Sequence, residues 1–218
     1  MVTQSEENYL KVIYRLGKQG IEAVSTNAIA EQMETRASSV TDMVKKLAEK
    51  DLANYVKYQG VSLTKVGRLT AASVIRKHRL WEYFLVNKLN FSWDEVHEVA
   101  EQLEHIKSEK LTNKLDEFLE FPKVDPHGDP IPDKQGNFVK ISKMLLSECK
   151  VGAIGVFVGV KDSSALFLQY LDKQNISLGN KIKILQREDY DQSLEISINA
   201  SVINISHQTA NNLYIQTN

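Results

Sequence analysis

STNAIAEQMETRASSVTDMVKKLAEKDLANYVKYQGVSLT, residues 25–64, changes its hydrophobic period twice. Residues 25–34 open on Ser and Thr, which cap helices well, and place Ile29 and Met33 one turn apart. After a brief Thr35-Arg36-Ala37 turn, residues 38–50 put Val40, Met43, Val44 and Leu47 on one helical face. Residues 52–64 then alternate around Gly60, as a β-hairpin does. Helix, turn, helix and hairpin make a winged helix-turn-helix pattern. In that arrangement the second helix enters the major groove of DNA and its first residues meet base edges. Arg36, Ser38, Ser39 and Asp42 lie at or near that start, and Lys45 and Lys46 one turn further on suit the phosphate backbone. Lys57, Tyr58 and Lys65 extend the surface into the wing. Solvated Lys and Arg on an ordinary amphipathic helix give the same pattern.

Outward from this stretch, residues 4–18 space Tyr9, Leu10, Ile13 and Tyr14 as a helix, with Gly17 and Gly20 framing its end. Residues 65–89 predict one long helix. Ser92-Trp93-Asp94-Glu95 reads as a capping box opening another helix that runs to about Ile106, and a further helix spans roughly 108–120. Residues 121–136 hold all four prolines and two glycines and mark a domain edge. Beyond 141, phrases such as VGAIGVFVGV, KIKILQ and LEISINA are β-branched or alternate, which predicts a small β-barrel.

The net charge of −1 conceals an uneven layout. Residues 1–76 carry 11 Lys/Arg against 8 Asp/Glu, residues 77–140 carry 9 against 13, and the remainder 7 against 7. A mildly basic first third followed by an acidic middle suits DNA contact and then cation binding. Cys149 is the single cysteine, so an internal disulfide is excluded and a thiolate zinc site is disfavoured. No apolar run approaches the roughly 20 residues of a membrane span, and the acidic, polar N-terminus is unlike a secretory signal. A cytoplasmic protein is the expectation.

Four of the five histidines fall within fifty residues. His78 and Glu82 are four apart, and His97, Glu101, Glu104 and His105 recur at one-turn spacing, so each set is expected to share a helix face. Asp125-Pro126-His127 adds a loop pair. Imidazole and carboxylate without thiol favour a first-row divalent ion, Mn(II) or Fe(II), with Zn(II), Ni(II) and Co(II) competing on raw affinity. Glu98 reads as a solvated helix residue.

Glu7-Asn8-Tyr9-Leu10-Lys11-Val12-Ile13-Tyr14, Arg76-Lys77-His78-Arg79-Leu80, Val96-His97-Glu98 through Leu103-Glu104-His105, and Phe121-Pro122-Lys123 through Pro126-His127-Gly128 together resemble the diphtheria toxin repressor/manganese transport regulator family of metal-dependent bacterial repressors. The resemblance implies a mainly α fold with a small β domain. Its parts are a winged helix-turn-helix DNA-binding domain (1–72), a helical dimerisation and metal-binding domain (73–140) and an SH3-like β domain (141–218). It further implies a homodimer that binds palindromic operator DNA when metal-loaded, with no membrane partner and no catalytic residues.

The family's core metal site maps to Asn8, Glu101, Glu104 and His105, with His78 close by. A second site maps to Glu82, Asp125, His127 and Asp162, with His97 joining it in the manner of the iron branch. The iron branch carries cysteine where this chain has Glu101, which points to Mn(II). Position 8 is commonly Asp or Met in the family, and the two-domain manganese regulators have Glu where this chain has Lys11. Without metal, Glu101 and Glu104 are expected to repel one another and loosen the N-terminal helix. The alternatives are an Fe(II)-dependent repressor, a metal-binding protein without a DNA role, and a metal-dependent hydrolase using Glu98 or Glu101 as base. Against the last, the sequence has no nucleophile elbow, phosphate loop or HExxH.

Overall fold

The computed structural model describes residues 2–217, and the chain divides into two compact units. The first comprises Met1–Trp81, Glu101–Phe118 and Ile131–Phe138. Its opening helix, α1 (Gln4–Leu16), is started by Thr3, whose side chain accepts the Glu6 N–H while the Glu6 carboxylate accepts the Thr3 N–H. The other Glu6 oxygen takes a 2.6 Å ion pair from Lys50, which fastens α1 to the end of α3 (Ala37–Glu49). Lys50 and the Thr3 hydrogen bonds outweigh burial and hold the Glu6 carboxyl below its ordinary value.

Ser25 caps α2 (Thr26–Gln32) through Ala28 N–H. The chain then turns through Glu34 at φ 48°, with Thr35 N–H returning to the Ala30 carbonyl. Hairpin β1 (Ala53–Val56) and β2 (Gly60–Leu63) follows, and Val24 bridges to Val61 as a third rung. Leu10, Ile13, Ile29, Val40, Val44, Leu47, Val61 and Leu63 fill the core beneath the helices and the wing.

Thr64 opens α4 (Lys65–Leu89) by accepting the Gly67 N–H. Gly67 is required there: a Cβ on it would stand 1.8 Å from the Leu52 carbonyl oxygen and 2.9 Å from the Leu52 carbon, both backbone atoms. Gly67→Ala should therefore cost about 3 kcal/mol of stability in denaturant unfolding, at the upper end of overpacking effects. A change within about 0.5 kcal/mol, as for a neutral surface site, would show that the helix start can shift freely.

Two expectations need correction. The helix expected from Ser92 to Ile106 is shorter: α5 spans Val96–Leu103. Ile106 N–H bonds to the Leu103 carbonyl, so Glu104 and His105 lie in a turn beyond the helix rather than on its face. The expected single-face cluster is thus divided. Helix α6 (Glu109–Phe118) follows.

The second unit comprises Glu82–Ala100, Leu119–Pro130 and Val139–Asn218. Its sheet joins β3 (Met144–Leu145), β4 (Ile154–Val160), β5 (Lys181–Arg187), β6 (Leu194–Ile198), β7 (Ser201–Ile205) and β8 (Leu213–Thr217). The strand order is β3-β8-β4-β5-β6-β7, antiparallel throughout, with bulges in β4 and β5. This is the small antiparallel sheet domain that the alternation predicts. Phe157, Ile182, Ile184, Ile196 and Ile215 fill its core. The second correction is α7 (Ala165–Lys173), a helix inside a segment read as β-rich. Leu168 and Leu171, one turn apart, bury against the sheet.

Candidate metal centres and DNA-facing helix

Glu82, near the end of α4, and the turn Asp125-Pro126-His127 supply the first cluster, all within the second unit. Glu82, Asp125 and His127 each bring one ligand atom to within 4.8 Å of the others, and all three are buried. The turn is self-organised: Asp125 Oδ1 accepts the N–H groups of His127 (2.8 Å) and Asp129 (3.0 Å). It docks on the sheet because the His127 carbonyl accepts Val160 N–H at 3.0 Å. Gly128, at φ +85°, makes that approach possible, since a Cβ there would fall 1.9 Å from the Val158 carbonyl oxygen.

The His127 ring is fixed from both ends. Its Nε2–H donates to the Trp93 carbonyl at 2.7 Å, and its Nδ1 stands 3.8 Å from Glu82 Oε2. A ring that gives one N–H to a backbone carbonyl presents the other nitrogen in a set direction, as metal-bound histidines do. Burial alone would push the His127 imidazolium down, but the Glu82 and Asp125 carboxylates and the Trp93 carbonyl reverse this and raise its pKa to about 9. Trp93 also stacks on the His127 ring, and its indole N–H donates to Asp172 of α7 at 3.0–3.1 Å. Trp93 and Asp172 are positioning residues that sequence reading missed. Their only signal was an aromatic residue inside a capping segment.

His97, half exposed, joins Glu82 with Nδ1 at 3.3 Å from Oε1. Asp162 is not in the converging group among the described residues. Its Oδ1 accepts Ser164 N–H (2.9 Å) ahead of α7.

The second cluster lies in the first unit, between α1 and the turn after α5. Glu104 is fully buried, and both its oxygens face Lys11 Nζ, at 2.7 and 2.9 Å. Lys11 also reaches Glu101 Oε1 at 3.3 Å. His78 Nδ1 lies 2.7 Å from Glu104 Oε2. Burial pushes the Glu104 carboxyl up, yet His78 and Lys11 hold it below its ordinary value. His105 Nδ1–H donates to Glu7 Oε2 at 2.6 Å, and its Nε2 is 3.8 Å from Glu104 Oε1. Lys77, whose pKa burial lowers, stands 3.9 Å from Glu7 Oε1. Asn8 Oδ1 is buried and accepts no hydrogen bond among the described residues. The carboxylates expected to repel are thus bridged by an ammonium.

These clusters differ as cation sites. The Glu82–Asp125–His127 group fits a divalent ion: two buried carboxylates and one oriented imidazole converge, and all are hard or borderline donors. Around Glu104 the donor chemistry is suitable and Asn8 Oδ1 is an unused acceptor, but in this conformation Lys11 stands where a cation would, so the cluster as arranged does not fit one.

On α3, Arg36 is the N-cap residue and its side chain makes no capping bond. Arg36, Ser38, Ser39, Asp42, Lys45 and Lys46 are all exposed, opposite the buried Val40, Val44 and Leu47. At the wing tip Tyr58 is 92% exposed, with Lys57 Nζ 4.9 Å from its ring centroid.

The fold and these clusters define a class: a winged-helix protein with carboxylate–histidine clusters built from its helices and the turns beside them, and a C-terminal antiparallel sheet. Residues 1–61 match the family described as iron dependent repressor, N-terminal DNA binding domain. Residues 64–133 match iron dependent repressor, metal binding and dimerisation domain, and residues 144–217 match the FeoA domain. A solved manganese-dependent transcriptional repressor in complex with manganese is 33% identical, with a TM-score of 0.86 over 97% of this chain and 99% of that one. The manganese regulator SloR is 34% identical, with a TM-score of 0.75 over 98% of each chain. The iron-dependent repressor IdeR of Mycobacterium leprae is 34% identical over 131 residues, 60% of this chain, and the match takes in 56% of that relative's length. The chain belongs to the diphtheria toxin repressor family of metal-dependent transcriptional repressors. Among the described residues no helix is long and apolar enough to cross a membrane.

Proposed function

We propose that this protein is a Mn(II)-responsive repressor that binds palindromic operator DNA as a homodimer. The observation that carries this reading is the buried Glu82–Asp125–His127 group, whose donors are two carboxylates and an imidazole with no thiolate. A divalent ion there would supply positive charge to the two buried carboxylates and a bond to His127 in place of its proton. The Trp93 carbonyl keeps the His127 ring oriented, and the turn anchored on β4 keeps Asp125 in place. Metal then favours the DNA-binding conformation only through a higher affinity for it. We place the division of the chain at 1–72, 73–140 and 141–218, with Asn8, His78, Glu101, Glu104 and His105 forming a core cluster and His97 and Asp162 at the margin of the second site.

The exposed start of α3, with Arg36, Ser38, Ser39 and Asp42, faces base edges in this reading, and Lys45 and Lys46 hold phosphates. Helix α6 leaves Leu111 and Phe118 exposed at a spacing of seven, one face of a helix, which suits a second copy of this chain. The domain family matched at 64–133 is described by dimerisation as well as by metal. The iron dependence by which that family is described favours the second reading, Fe(II) as effector.

Fluorescence anisotropy with labelled promoter DNA, titrated anaerobically with Mn(II), Fe(II) and Zn(II) separately, tests the proposal. Binding gained with Mn(II) and lost on chelation is the expected result. Gain with Fe(II) alone moves the reading to iron, and no gain with any metal on the protein's own upstream DNA overturns it. The Lys45→Ala/Lys46→Ala variant should weaken binding to all sequences and lower the slope of log affinity against log salt by about 2, one for each phosphate contact. An unchanged slope would move both lysines off the DNA.

A further inference from the structure

The arrangement around Glu104 departs from what a cation site requires, and the departure has a cause in this chain. Asn8 and Lys11 stand one turn apart on α1, and Lys11 faces the cluster. Lys11 places its ammonium within 2.9 Å of both oxygens of a fully buried carboxylate and 3.3 Å from Glu101. An ammonium is a compact charge with three donors, and here it neutralises acceptors that a divalent ion would otherwise claim. Its tether keeps it at hand at every metal concentration, whereas a free ion must be present at its dissociation constant to compete. One turn before it on α1, Asn8 Oδ1 is buried and accepts no hydrogen bond among the described residues.

We infer that Lys11 is an internal cation for the core cluster. In the metal-free protein it takes the place of a divalent ion at Glu101 and Glu104, holding α1 to the turn after α5. A metal can enter only by expelling it. This inference rests on the proposed reading of the chain as a metal-responsive repressor, and it deepens that reading: the Glu82–Asp125–His127 site loads first, and the core cluster is weak by construction.

The test counts tightly bound Mn(II) on the full-length protein, by electron paramagnetic resonance of free Mn(II) and by calorimetry. The unaltered chain should hold one tight Mn(II), Lys11→Met two, and Lys11→Arg one, because arginine keeps the charge. Metal-free Lys11→Met should melt at a lower temperature than the unaltered protein and recover on adding Mn(II). If Lys11→Met does not fold, His127→Ala in the Lys11 background decides. It should hold no tight Mn(II), and one tight ion retained there would overturn the inference. Two equally tight ions in the unaltered chain would also overturn it. No tight ion in the unaltered chain but one in Lys11→Met would support the role of Lys11 and undo the Glu82–Asp125–His127 assignment instead. Operator binding, measured separately, reports on the repressor reading.

Discussion

His127→Ala is expected to lower Mn(II) affinity more than about 100-fold, beyond the 10–100-fold that loss of a supporting residue costs. His127 is the single nitrogen donor in the Glu82–Asp125–His127 group, and its removal leaves two buried carboxylates with the half-exposed His97, 3.3 Å from Glu82 Oε1, beside them. Two like charges in a poorly solvated site bind a cation but lose the directed third bond, and water must replace the ring. Metal-dependent operator binding should fall in step, since a ligand shifts a conformational equilibrium only by its differential affinity. Glu98→Ala is the matched control, because Glu98 is exposed on the same helix as His97 and lies outside the group. Calorimetric titration reads both variants. A His127→Ala affinity within threefold of the unaltered chain would remove His127 from the site.

Mn(II) affinity should also rise by roughly tenfold per pH unit from about pH 6.5 to 8.5 and level off near 9, with close to one proton released per ion at pH 7.5. The cause is the His127 proton. Its pKa is raised to about 9 in the folded protein, so at neutral pH the ring is an imidazolium between Glu82 and the Trp93 carbonyl, and a metal must displace that proton. The sign for folding is opposite. A histidine whose pKa is raised on folding contributes stability that is fully present below its unfolded value near 6.5 and lost as pH rises through about 9. Metal-free protein should therefore become less stable between pH 6.5 and 9, while stabilisation by added Mn(II) grows over the same window. Titration in buffers of different ionisation enthalpy counts the protons. A flat affinity profile with no proton released would show that the ring is already neutral. His127→Ala should flatten the steep part of the profile.

Much of this molecule was legible before folding. The capping residue Ser25, the periodic Val40, Val44 and Leu47 and the alternation around Gly60 all act within a few residues, and local rules set them. Asp125 and His127 were visible as a proline-bounded pair because a loop that cannot form regular structure keeps its chemistry together. The α5 end and α7 were misjudged for a common reason. Leu103-Glu104-His105 continues a helical pattern, and residues 165–173 sit between apolar strands, so only long-range partners decide their state. For Glu104 those partners are Lys11 and His78, more than twenty residues away in the chain.

The sequence by itself determined the element types, the winged arrangement and the inventory of oxygen and nitrogen donors, because periodicity, capping and side-chain chemistry are local properties. Tertiary structure alone decided which donors meet. It turned Glu104 onto a lysine rather than a neighbouring carboxylate, aimed His127 by a carbonyl from Trp93, and divided one row of histidines and glutamates between two clusters. Distances of a few ångströms between residues remote in sequence follow from packing, and packing is what separates a group shaped for a metal from one already neutralised by the chain's own charge.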